Sequence, residues 1–182
     1  MKNLFISLSA FTLLVGSLSA QTPTVQKDQS NLEKFFAKSG TLIEKKFIDI
    51  GKVRGVNIQV LTLTDLIYPG KVSGVRFEYQ TATRYTTDTK VAFLDQDEID
   101  GLVKSITLIK TRVLPSTPDH YTEVVFTSRS GFSAGCYYGD RIWKAFVKIE
   151  RFDRDSNVFF EPEDLDGILK LLQDAKTNVS GQ

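Results

Sequence analysis

The residues of this chain that could do chemistry carry no recognised catalytic motif. Its 182 residues include one histidine, His120, and one cysteine, Cys136. A serine triad needs a histidine oriented by an acid and a nucleophile raised on a sharp turn. His120 follows Asp119, but no G-x-S-x-G sequence occurs, and neighbours in sequence do not make a triad. One His and one Cys are too few to close a zinc site, and a lone cysteine cannot form an internal disulfide. Cys136 reads as a small buried hydrophobe, and His120 as a solvated residue where a linker enters a strand. The 22 acids allow many carboxylate pairs, and nothing in their spacing singles one out for hydrolytic work. No catalytic residue, cofactor or transition metal is assigned.

Two acidic runs invite comparison with calcium loops. Asp95-Gln96-Asp97-Glu98-Ile99-Asp100-Gly101 has Ile99 at position five and Asp100 where the turn glycine belongs. Helix capping accounts for these acids, because carboxylates favour the positive N-terminal end of a helix. The closer match is Asp153, Asp155 and Asn157, with Asp164 at loop position twelve. Oxygen ligands stand at positions one, three, five and twelve, but Val158 replaces the turn glycine and a strand precedes the loop. A hairpin turn rich in Asp and Asn has the same composition, so this is a weak calcium candidate.

The most suggestive surface is aromatic and basic. Phe132, Tyr137, Tyr138 and Trp143 fall on two adjacent candidate strands, with Arg129, Arg141 and Lys144 nearby. Such a mixture makes a stacking platform for bases, sugars or a protein partner. Tyr137 and Tyr138 must point to opposite faces of a strand, so one packs while the other is exposed. Tyr137, Tyr138, Trp143, Arg141 and Lys144 are the candidate ligand-binding residues.

The elements that position them are legible. Residues 1–20 have one lysine, an apolar run and Ser-Leu-Ser-Ala at the end, the order of a cleaved secretory signal. Residues 21–40 read as a flexible polar leader with a short helical turn near 32–38. A first unit spans 41–114, a Pro-rich connector 115–119, and a second unit 120–179. Strands are expected at 42–50, 56–66, 72–79 and 90–94, and again at 121–127, 132–138, 142–151 and 157–160. Gly51, Gly55 and Tyr68-Pro69-Gly70 supply turn signals.

Each unit ends in a helix. Ile99, Leu102, Val103, Ile106 and Ile109 form one apolar stripe, opened by an Asp95/Glu98 capping box. Leu165, Ile168, Leu169, Leu172 and Ala175 form the other, after Pro162. The two helices superpose without a gap. Phe93-Leu94-Asp95 matches Phe159-Phe160-Glu161; Asp100-Gly101 matches Asp166-Gly167; Lys110-Thr111 matches Lys176-Thr177. Apolar period alone would not reproduce the Asp-Gly and Lys-Thr positions, so the pattern reads as an internal duplication of a ββββα unit. The expected fold is α+β, with two antiparallel four-stranded sheets, each followed by one helix and fused into one globular domain. Gly101 and Gly167 face away from the apolar stripes, which leaves two readings: each helix back approaches something closely, the other helix or a second chain, or each glycine is tolerated on a solvated face.

In element order, the tandem ββββα arrangement resembles the Whirly and PUR-repeat group, which implies sheets that bind single-stranded nucleic acid. The lysine-glycine-lysine-alanine strand signature of Whirly proteins is absent. The runs Ser39-Gly40-Thr41-Leu42-Ile43-Glu44-Lys45, Asp97-Glu98-Ile99-Asp100-Gly101-Leu102 and Ser128-Arg129-Ser130-Gly131-Phe132 resemble secreted hypothetical proteins of Bacteroidetes type, a group without an assigned activity. Export is the consequence for location: periplasmic or secreted, with no membrane anchor.

The full chain has 23 basic and 22 acidic residues; residues 1–20 hold one Lys and no acid, so 22 of each remain. A neutral chain has no net field to draw polyanions, which argues against nucleic acid. The expected function is therefore an exported, non-enzymatic binding or interaction domain with a protein or glycan partner, or a second copy in a homodimer. The alternatives are single-stranded nucleic-acid binding and a carboxylate-dependent hydrolase.

Overall fold

A computed structural model describes residues 29–82 and 86–181; residues 1–20, expected from the sequence to be a cleaved signal, lie outside them. Two ββββα units follow one another. The first has β1 (Ile43–Val53), β2 (Val56–Asp65), β3 (Lys71–Ala82) and β4 (Thr87–Asp95), then α2 (Gln96–Leu108), which continues as a π-helical turn, Ile109–Val113. The second has β5 (Thr122–Thr127), β6 (Ser133–Gly139), β7 (Ile142–Lys148) and β8 (Asn157–Phe160), then α3 (Asp164–Ser180). Each sheet is an antiparallel meander with neighbours in chain order. Short connections dictate this. Arg54 and Gly55, and likewise Asp140 and Arg141, adopt positive φ as the two central residues of tight hairpins, the twist that right-handed strands require.

The helix stripes fill one core that draws on both units. Ile99, Leu102 and Ile106 from α2 and Leu165, Ile168 and Leu172 from α3 are buried together with Val60, Phe77 and Leu94 of the first sheet and Cys136, Ala145 and Val147 of the second. Phe77 and Phe132 meet across the units with ring centroids 4.5 Å apart. The helices also pair reciprocally. Lys110 reaches Asp166, and Lys176 reaches Asp100 at 2.7 Å. These are the repeated Asp-Gly and Lys-Thr positions, so the repeat has a physical basis in this mutual clasp.

The two glycines do not lie against each other. A Cβ at Gly101 would come 3.2 Å from the Phe126 ring of β5, and one at Gly167 would come 3.4 Å from Val53 of β1. Each helix back therefore receives a side chain from the edge strand of the other unit.

Residues expected in the flexible leader are docked. Helix α1 (Asn31–Phe36) has a Ser30/Glu33 capping box and buries Leu32 and Phe35 against Leu61, Leu63, Val72 and Phe93. It lies on the face of the first sheet opposite α2 and α3. Among the described residues no helix is long and apolar enough to cross a membrane.

Candidate functional site

Strand parity decides what the second sheet shows to solvent. On β6, Ala134, Cys136 and Tyr138 turn to the helices and are buried, so Gly135, Tyr137 and Gly139 face the other way. The register then places Glu123, Tyr137 and Lys144 in one row, and Val125, Gly135, Phe146 and Phe159 in the next. No element of the described chain covers this face. Phe159 is 61% exposed, Tyr121 66% and Ile142 51%.

Tyr137, itself half-buried, is the hub of an aromatic cluster on this face. Its ring centroid lies 6.2 Å from Tyr121, 6.4 Å from Phe146 and 6.3 Å from Phe159, the last nearly edge-on. These distances suit the ring quadrupoles, which favour tilted and edge contacts. Lys144 and Lys148 on β7 add positive charge, and Glu123 on β5 adds negative. Tyr121 donates its hydroxyl proton to Glu123, and that carboxylate pushes the phenol pKa upward. The face thus joins a rigid aromatic floor to a basic and an acidic margin.

The five candidate residues are divided between this face and the rest of the unit. Tyr137 and Lys144 share the open face. Tyr138 and Trp143 are on the helix side, ring centroids 5.3 Å apart, with Trp143 Nε1 donating to the Ser116 carbonyl oxygen at 2.8 Å. That hydrogen bond pins the connector, so these two rings serve structure. Arg141 sits in the β6–β7 turn at φ 63°, at the end of the sheet. Phe132 is in the core. The sequence reading missed Tyr121, Phe146 and Phe159. The signal for Phe159 was present, since the duplication aligns it with Phe93.

Arg129 belongs elsewhere. Its guanidinium binds both oxygens of Asp97 at 2.8 Å and reaches Asp95 at 2.7 Å, while its backbone amide donates to Glu98 at 2.7 Å. The Asp95 carboxylate also accepts the backbone amides of Asn31 and Leu32 at 2.7 and 3.2 Å. This cluster ties α1, the start of α2 and the β5–β6 turn into one joint. Arg129 lowers the Asp97 pKa.

The weak calcium candidates are individually engaged. Asp153 is held by Lys90, which lowers its pKa, and accepts the Asp155 amide at 2.8 Å. The Asn157 side-chain amide donates to the Arg154 carbonyl at 2.8 Å. Asp164 accepts from Arg54 at 2.8 Å and from the Glu161 amide at 3.0 Å. Among the described residues, no three His, Cys, Asp or Glu side chains group as metal ligands.

A cleft of about 420 Å³ lies between α1 and the β7–β8 turn, lined in part by Glu33, Glu150 and Asp153. Glu33 is used by its capping box and Asp153 by Lys90, so this cleft offers no free carboxylate pair. The comparisons with protein-family models and with curated proteins find no match.

Proposed function

We propose that this protein is an exported, non-enzymatic binding domain whose second sheet presents its open aromatic face to a protein or glycan partner. The observation that carries this reading is the cluster in which exposed Tyr121 and Phe159 and half-buried Phe146 surround half-buried Tyr137. Burying such rings on association would be worth roughly 1.5–3 kcal/mol per large side chain. Large exposed apolar patches on a folded domain mark interaction sites. Aromatic floors serve both carbohydrate and protein recognition, because they offer area at low conformational cost.

The test is a comparison of purified wild type with Phe159→Ser and Tyr137→Ser, on a glycan array and by affinity capture from the exporting host. A partner retained by wild type and lost from both variants supports the reading. Equal retention by all three proteins refutes it.

The single-stranded nucleic-acid alternative draws support from Lys144 and Lys148 beside stacking-competent rings. It requires binding that falls steeply as salt rises. Glu123 in the central row and the neutral charge of the chain after residue 20 weigh against it.

A further inference from the structure

We propose that the open face of the second sheet docks a short amphipathic helix of a partner protein, in the way that the first sheet holds its own α1. This deepens the binding reading above and rests on it. The internal duplication supplies the argument. Laying Phe93 on Phe159 and following the strand registers outward puts Tyr137 in the place of Leu61, Gly139 in that of Leu63, and Ile142 in that of Val72. Leu61, Leu63, Val72 and Phe93 are four of the five sheet residues in the cluster that α1 joins, the fifth being Ile43 of β1. Phe93 packs against Phe36 of α1 with ring centroids 5.3 Å apart. Its counterpart Phe159 has no such cover among the described residues and is 61% exposed.

Charge complementarity points to the same occupant. In the first unit, Asp95 accepts the two leading amides of α1, where the helix end is positive. Glu161 takes the equivalent place in the second unit and is exposed, so it is available to a helix arriving from outside. The surfaces are not identical. Leu32 approaches Gly74, where a Cβ would come within 2.6 Å of it, whereas the register places Lys144 at the corresponding point of the second sheet. An incoming helix is therefore lifted from β7 at Lys144 and sits over the gap at Gly139, beside its register partner Ile142, and its acidic first turn meets Lys144. The partner is thus a helix with bulky apolar residues at i, i+3 and i+4, as Leu32, Phe35 and Phe36 are in α1, and an acid near its start, as Glu33 is.

The test titrates a synthetic peptide of residues 29–39, which carries all of these features, into the nitrogen-labelled full chain purified from an exporting host. Amide shifts report the contact. The expected result is saturable shifts at Tyr121, Tyr137, Ile142 and Phe159 with a midpoint below about 1 mM. The midpoint should rise at least about fivefold in Phe159→Ser and in Ile142→Ser. Both side chains are exposed, so both variants keep the wild-type fold. A peptide with Phe35→Ser and Phe36→Ser should not bind.

Shifts confined to the first sheet would mean exchange with the resident α1, and would overturn the proposal. So would the absence of saturation, or self-association of the chain through the second sheet. A glycan or protein ligand that still depends on Phe159 when the peptide fails would leave the binding reading standing and remove the helix.

Discussion

Removing the Asp95 carboxylate should destabilise the protein strongly. Asp95 is buried, at 3% exposure. Asp95→Ala takes the acceptor from the leading amides of α1, and hydrogen bonds to a charged group are worth about 1.5–3 kcal/mol each. It also removes the N-cap of α2, worth about 1 kcal/mol, and one of the carboxylates facing Arg129. Arg129 keeps Asp97 and Glu98, so it is not stranded. These losses overlap, since α1 detaches as a unit, and the expected total is on the order of 3–5 kcal/mol, the range for breaking a buried charged network. A domain of this kind has roughly 5–15 kcal/mol in all. Asp95→Asn keeps one acceptor oxygen and should cost about half as much.

Urea melts followed by circular dichroism measure the total. Limited trypsin cleavage at Lys34 and Lys38 reports the release of α1 separately. If Asp95→Ala melts within about 1 kcal/mol of wild type and α1 stays protected, the joint is not what holds the first helix.

The Asp65 carboxyl is held down to about 2 by the Thr41 hydroxyl, the amides of Tyr68 and Ile67, and Lys38. A depressed acid stabilises the fold fully above its ordinary pKa of 3.8 and loses that contribution as pH falls towards about 2. Thr41→Val should raise the pKa measured by carboxyl NMR and move the acid transition to higher pH; an unchanged value would contradict the assignment. Burial pushes the Cys136 thiol up to about 11, so a disulfide reagent at pH near 8 should modify it only on unfolding. Gly167→Ala should stabilise by roughly 0.4–1 kcal/mol, because Val53 is at ordinary contact distance. Gly101→Ala should not stabilise, because the Phe126 ring must first move; denaturant melts of the two variants side by side check the difference.

The fold was legible because its signals are periodic. The two helix stripes, the Asp95/Glu98 cap and the glycine-marked turns each act within a few residues, where sequence speaks directly. The site was half legible. The strand Ser133-Ala134-Gly135-Cys136-Tyr137-Tyr138-Gly139 has no alternation of polar with apolar residues, so parity could not say which tyrosine faces out. Phe159 and Phe160 pose the same ambiguity, resolved only when Phe160 enters the core. Docking of α1 was hidden because its grip comes from Asp95, 64 residues from Asn31. The glycine contacts were hidden for the same reason: the wheel shows which way each glycine points, but the residue it meets belongs to the other unit.

The most direct test of the proposed binding face is site-specific photocrosslinking in the native host. A benzophenone side chain replaces Phe159, with Phe152 as the control because it is exposed at 90% in the β7–β8 turn, off the aromatic face. The account predicts a discrete crosslinked product from position 159 that is absent from position 152. No product from 159, or the same products from both positions, would contradict it.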